Sequence, residues 1–409
     1  MKIIVIGSIA AGVSAAARLA AGSKGAQITV YERGAFYSCG VDGLPHYLCE
    51  SLEELNKAIQ SKETELIKNG IKACLQHEVT AIDPQSKTVS VTDLSTGKTF
   101  TERYDKLVVA TGSSVSLPSV RGAERVGVHT LKNVEELVFL KEYIKTPYVS
   151  DIVILGANWA GLEIAKVFLK LGRHVRIIDK SRQLLPEFDP EISSLIQKQL
   201  ELEGVAFSLG ETVHSFPGRS YIEQVQTERN SYSCDLCICA DNNQPNTELL
   251  KGCGAELAAN GAVFVDDELA TSIADVYAVG NCAISRSGSL HTASIRVGET
   301  EIARTGLTET QAKKAGLRVK SVTRTGSDRP GICPNPQPVT IKLVFDAQTE
   351  RILGAQAWGG KNVSTRINAI AVAITAGMTV KALAGVDFCF SSAQSTIWDP
   401  IQVVCGMVR

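Results

Sequence analysis

The hydrophobic pattern of this chain shows one arrangement twice and then changes character. Lys2-Ile3-Ile4-Val5-Ile6 is apolar without interruption after its first residue, which predicts a strand buried on both faces. A glycine-bounded turn follows, Gly7-Ser8-Ile9-Ala10-Ala11-Gly12, then an alanine-rich helical stretch, then a second apolar run, Ile28-Thr29-Val30-Tyr31, closed by Glu32. The order returns within residues 151–179. Ile152-Val153-Ile154-Leu155 leads into Gly156-Ala157-Asn158-Trp159-Ala160-Gly161-Leu162-Glu163, a helix to Leu171, and His174-Val175-Arg176-Ile177-Ile178-Asp179. Toward the C-terminus, residues 339–345 and 351–358 alternate as a hairpin around Asp346-Ala347-Gln348-Thr349, and residues 364–376 have helical apolar spacing. Two strand–turn–helix–strand units and an end module with its own core predict three domains.

The two turns carry the first chemistry. Gly7 permits a tight turn and Gly12 a close helix–strand approach, and the helix N-terminus offers amides and a positive dipole end to a pyrophosphate. Glu32 stands where a ribose hydroxyl needs a carboxylate acceptor, although Ile9 replaces the glycine of closest backbone approach. In the second unit Asn158 takes that position, and its side chain costs space. Asp179 favours NADH by accepting from a 2′-hydroxyl, whereas Lys180 and Arg182 suit the 2′-phosphate of NADPH.

Composition sets outer bounds. The 409 residues exceed what one core organises, and 44% hydrophobic with 21% charged residues is ordinary globular composition. A net charge of −1 gives no electrostatic case for nucleic acid or an anionic membrane surface. The N-terminus enters a strand directly, without a basic segment and apolar signal core, and no apolar run is long enough for a bilayer, so a cytoplasmic location is expected. Six histidines show no ligand spacing, and no metal is predicted.

Eleven cysteines cannot all pair internally, and in a reducing compartment most act as small buried apolar residues. Cys234, Cys237 and Cys239 lie on an expected strand. Their Cys-x-x-Cys spacing fits a redox pair or half a zinc site, but no second pair answers it. Cys39 differs by its place. It follows Glu32 by a few residues, at the carboxyl edge of the sheet where ligand crevices open, and a helix starting near Gly40 would favour its thiolate.

These residues, with Ser38-Cys39-Gly40, His77-Glu78-Val79, Ala110-Thr111-Gly112, Pro245-Asn246-Thr247-Glu248-Leu249, Val276-Tyr277-Ala278-Val279-Gly280-Asn281-Cys282 and Trp398-Asp399-Pro400, make a chain-long resemblance. The sequence resembles the single-cysteine branch of the FAD-dependent pyridine nucleotide–disulfide oxidoreductases, which holds coenzyme A disulfide reductases, NADH oxidases and NADH peroxidases. The resemblance implies an α/β fold of two Rossmann-like FAD/NAD(P)-binding domains plus a C-terminal α+β dimerisation domain. The expected bounds are 1–113 with 243–292 for FAD, 114–242 for NAD(P) and 293–409 for dimerisation. It implies FAD contacts from Gly7, Ala10, Ala11, Gly12, Glu32, Arg33, Val79, Ala110, Thr111, Gly112, Gly280 and Asn281. NADH or NADPH would meet Gly156, Gly161, Glu163, Asp179 and Lys180, and a homodimer is expected.

By the same resemblance Cys39 is the redox centre, passing electrons from a nicotinamide and flavin to a small-molecule disulfide. Oxidases and peroxidases of the branch commonly carry histidine where this chain has Ala10, as coenzyme A disulfide reductases do. Ser14, Arg18 and Ser38 match positions that face coenzyme A, so a CoA-type disulfide is the preferred substrate. Several positions depart from the pattern. The flavin-binding aspartate is Asn281, residues 285–292 are a shortened stand-in for a longer segment, Asn242 replaces a glycine, and expected tyrosines are Ile332, Cys333 and Phe390. Those departures support one alternative, a redox-dead nucleotide-binding relative, and an NADH oxidase or peroxidase of the same branch is a further one.

Overall fold

The computed structural model describes residues 1–37, 41–146, 148–241, 243–391 and 395–408. The chain forms two compact units, each discontinuous in sequence. One comprises Met1–Ser150, Ser215–Gln224 and Cys234–Gly288, and the other Asp151–His214, Val225–Ser233 and Ser289–Arg409.

In the first unit, β1 (Lys2–Ile6), helix α1 (Ala10–Gly22) and β2 (Gln27–Tyr31) form the predicted strand–turn–helix–strand. β1 pairs in parallel with β2 on one side and with Lys106–Val109 on the other. Lys72–Cys74 and Val276–Ala278 complete a five-stranded parallel sheet. The uninterrupted apolar run is explained by burial on both faces. Ile4, Ile6, Leu107 and Val109 enter one core, and Ile3, Val5, Val30 and Val108 enter another. The strands His77–Asp83, Thr88–Asp93 and Thr99–Arg103 form a separate antiparallel sheet.

In the second unit, β3 (Asp151–Leu155), helix α2 (Trp159–Lys170) and β4 (His174–Asp179) repeat the arrangement, and β4 also pairs in parallel with Val205–Leu209. The predicted hairpin is the antiparallel pair Pro338–Asp346 and Ile352–Gly359, which lies within a five-stranded sheet. Helix Val363–Thr375 packs Val363, Ile367, Ile370 and Ala373 into one core with Ile341, Leu343 and Ala357 of those strands. Alternating strand residues and helical residues at three- and four-residue spacing therefore meet in one apolar layer.

The cysteine-rich segment is the strand Leu236–Cys239, and Cys234, Cys237 and Cys239 are all buried. Burial, reinforced by the neighbouring thiols, pushes the Cys237 thiol well above its ordinary range, which makes it a poor nucleophile. Among the described residues, the only potential metal-ligating group is Asp189, Glu191 and Glu309, and the Lys342 ammonium bonds to all three carboxylates. Among the described residues no helix is long and apolar enough to cross a membrane.

Candidate functional site

The turn between β1 and α1 is held by close backbone contacts. Gly7 has φ +102°, and a Cβ there would lie 2.4 Å from the Ala110 carbonyl oxygen. A Cβ on Gly12 would stand 1.9 Å from the Gly7 carbonyl oxygen, so both predicted glycines are sterically required. Glu32 then clamps the turn. Its Oε2 accepts from the Ser8 amide at 2.8 Å and the Ser8 hydroxyl at 3.0 Å, while Oε1 accepts from the Gly34 amide at 2.9 Å. A carboxylate offers about four lone-pair sites, so one acceptor position is left for a ribose hydroxyl.

The anion end of this turn is open in a specific sense. α1 has Ile9 as its N-cap, in extended conformation, and no side chain caps it. Its first amides and positive dipole end are therefore not engaged by a local acceptor side chain. Gly280 has φ +77°, and a Cβ there would be 2.8 Å from the Ala11 Cβ, which brings residues 280–282 against the helix start. Exposed Asn281 donates from Nδ2 to the Ser113 hydroxyl at 3.4 Å. Residues 286–292 form no helix.

The Ala110-Thr111-Gly112 segment is fixed by Asn246, a residue whose role the sequence did not reveal. The Asn246 Nδ2 donates to the Thr111 carbonyl at 2.9 Å, and its backbone amide donates to the Gly112 carbonyl at 2.9 Å. The Thr111 hydroxyl returns a bond to the Asn246 carbonyl at 2.5 Å. Val79 is buried in the adjoining core, and Arg33 is exposed. An uncapped helix N-terminus, an acid with acceptor capacity and a glycine-lined cradle fit the pyrophosphate and ribose of FAD.

Ala10, Ser14 and Arg18 are exposed at successive four-residue steps of α1, so Ser14 and Arg18, two of the residues predicted to meet substrate, share one helical face with Ala10. Ser38 and Cys39 lie outside the described residues, as does Asn242. The chain just beyond Cys39 is the 3₁₀ helix Val41–Leu48. Lys141 holds its end. The buried Nζ donates to the carbonyls of Tyr47 at 2.5 Å, Leu48 at 3.3 Å and Glu50, and burial lowers its pKa. A lysine on the buried face of the helix Val134–Tyr143, beside Leu137 and Leu140, was the available sequence signal.

In the second unit the turn repeats the clamp. Asp179 Oδ2 accepts from the Ala157 amide at 2.7 Å and Oδ1 from the Ser181 amide at 2.6 Å. Gly156 has φ +121°, and a Cβ on Gly161 would stand 1.9 Å from the Gly156 carbonyl oxygen. Glu163 is partly buried and pairs with Lys166 at 2.5 Å, while Lys180 and Arg182 are exposed. Acid, glycines and helix start fit a second dinucleotide. The helix end differs from that of α1, because Asn158 caps α2 by accepting from the Gly161 amide at 2.9 Å.

Comparison with known proteins agrees with this duplicated geometry. Residues 1–298 match the model of the pyridine nucleotide-disulphide oxidoreductase, and residues 292–394 match the dimerisation domain of that family. The chain is similar to the NAD(P)H sulfur oxidoreductase (CoA-dependent) of Pyrococcus furiosus, at 30% identity covering 100% of this chain and 99% of that protein. It is also similar to the NADH oxidase of Enterococcus faecalis, at 28% identity over 99% of this chain and 98% of that protein. Among solved structures, reduced CoADR-RHD from Bacillus anthracis superposes with a TM-score of 0.92 at 26% identity, covering 99% of this chain and 79% of that one. The NADH-bound water-forming NADH oxidase of Lactobacillus brevis gives 0.90 at 31% identity, over 99% and 97%. With two acid-clamped glycine turns, a family model matched over residues 1–298 and a relative 30% identical over the full length of this chain, the chain is a member of the pyridine nucleotide-disulphide oxidoreductase family, whose cofactors are FAD and NAD(P)H.

Proposed function

We propose that the protein reduces a CoA-type or other low-molecular-weight disulfide with NAD(P)H, using Cys39 as its redox thiol. The observation that carries this reading is the pair of acid-clamped turns, one in each unit, with the lone Cys39 following the first. FAD held at Gly7, Gly12, Glu32 and Gly280 would supply two-electron transfer between a nicotinamide and sulfur. The net reaction is NAD(P)H + H⁺ + RSSR → NAD(P)⁺ + 2 RSH. The Cys39 thiolate attacks one disulfide sulfur, forms a mixed disulfide and releases one RS⁻. The electron pair of the nicotinamide then cleaves the mixed disulfide, which restores Cys39 and frees the second thiol.

The exposed Ala10, Ser14 and Arg18 face supports the CoA-type substrate, since Arg18 suits a phosphate. Ala10 also offers no imidazole to hydrogen-bond a sulfenate or peroxide, which favours disulfide over oxygen as acceptor. The NADH oxidases among the relatives support the second reading, reduction of oxygen or peroxide. The domain bounds proposed are 1–113 with 243–292 for FAD, 114–242 for NAD(P) and 293–409 for dimerisation. A homodimer through the last of these accords with its exposed apolar side chains, Ile332 at 91% and Trp398 at 67%.

The test begins with the visible spectrum of the purified protein. Flavin bands near one per chain are expected, followed by NAD(P)H oxidation that depends on CoA disulfide and is lost in C39S. A protein that stays colourless with excess FAD would leave the redox-dead relative as the account. Oxidation that proceeds with oxygen alone would move the assignment to the oxidases.

A further inference from the structure

The two glycine turns are alike in almost every hydrogen bond. Gly7 N donates to the Tyr31 carbonyl at 2.8 Å, and Gly156 N to the Ile178 carbonyl at 3.0 Å. In each, the acid after the second strand takes the amide of the residue following the first glycine and an amide two residues beyond itself. They differ at the helix start. α1 begins at Ile9 without a side-chain cap, whereas at α2 the Asn158 side-chain oxygen accepts from Gly161 N at 2.9 Å. That oxygen carries partial negative charge to the positive end of a twelve-residue helix, where a pyrophosphate would also bring its charge. Asn158 also stands at the turn position where the backbone must come nearest to the phosphates.

We propose that Asn158 sets the affinity of the second nucleotide site by acting as an internal competitor, which the pyrophosphate of NAD(P)H must displace from the N-terminus of α2. The proposal rests on the reading that NAD(P)H binds at this turn. Displacement forfeits the cap, and a lost asparagine cap corresponds to roughly a 2- to 30-fold change in an equilibrium constant. Alanine offers no acceptor to the Gly161 amide and is the replacement against which that cap cost is defined, so N158A removes the competitor. Asp also caps, but it adds full negative charge facing the phosphates.

The test is calorimetric titration of the full-length protein with NAD⁺, which binds without turnover. Binding that tightens roughly 2- to 30-fold in N158A and weakens in N158D is expected. Unchanged binding in N158A would overturn the role of Asn158, and weaker binding would overturn it by making the side chain a phosphate ligand instead. The siting is read separately from the fluorescence of Trp159, beside Asn158, in a W358F/W398F background where it is the sole tryptophan. NAD⁺ that binds without altering Trp159 emission, or that does not bind at all, would overturn the siting and the proposal with it. Thermal melts of each variant report that the unit is folded.

Discussion

Glu32 combines two tasks whose energies can be separated. In E32A the buried Ser8 amide loses its acceptor, and Ser8 is fully shielded from water, so the orphaned donor costs about 1–3 kcal/mol. That cost is present with or without flavin. It lowers the melting temperature and leaves the flavin affinity alone. The ribose contact behaves differently because it exists only in the complex. A hydrogen bond to a charged acceptor contributes about 1.5–3 kcal/mol, which is roughly a 10- to 150-fold weakening of FAD binding when it is lost. E32Q keeps one oxygen and should fall between wild type and E32A on both scales. The assay is titration of apoprotein with FAD, followed by flavin fluorescence quenching, alongside a thermal melt of the same apoprotein. If E32A melts earlier yet binds FAD within about twofold of wild type, Glu32 is a turn clamp only, and the ribose assignment is wrong.

Three other outcomes follow from the structure. Lys342, 3% exposed, bonds to Asp189 and Glu309 at 2.9 Å and also to Glu191, so K342M leaves uncompensated carboxylates and should destabilise by about 3–5 kcal/mol in urea unfolding. Hydrogen bonds from Lys313 and Ser321, with the help of Lys342, outweigh burial and hold the Glu309 carboxyl at about 2. Burial pushes the Asp189 carboxyl up, but hydrogen bonds from Thr310, Lys342 and Gln356 hold it well below the usual range. Both folded values lie under the unfolded ones near 4, so this stability is present above about pH 4.5 and is lost as pH falls toward 2. E309Q should show a shallower acid limb in thermal melts across that window, and an unchanged limb would remove Glu309 from the account. Cys234, Cys237 and Cys239 are buried, so iodoacetamide followed by mass spectrometry should label them only after unfolding. Labelling in the native protein would reopen a chemical role for the Cys-x-x-Cys segment.

Much of the architecture was legible because it depends on short-range physics. A β-branched run buried on both faces needs no polar positions, and two glycines five residues apart are demanded by backbone contacts of 2.4 Å and 1.9 Å. Strand alternation and helical spacing in the C-terminal module likewise follow from the geometry of each element. The two acids could be named from sequence because each closes the strand beside its own turn.

What only the tertiary structure decided lies in contacts between residues far apart in the chain. Asn246 clasps Thr111 across 135 positions, and Lys141 holds carbonyls 91–94 positions away. Asp189 accepts from the Gln356 side chain across 167 positions. Nothing local marks these partners, because an asparagine or lysine has the same propensities whether it meets solvent or a distant carbonyl. The sequence therefore determined which turns can approach a nucleotide. The assembled fold decided which distant groups hold the segments beside them, as Asn246 on Thr111 and Lys141 on the carbonyls of Tyr47, Leu48 and Glu50 show. The reason is physical: the steric demands of a turn are set by its own residues, whereas the occupancy of a donor depends on whatever packing brings within 3 Å of it.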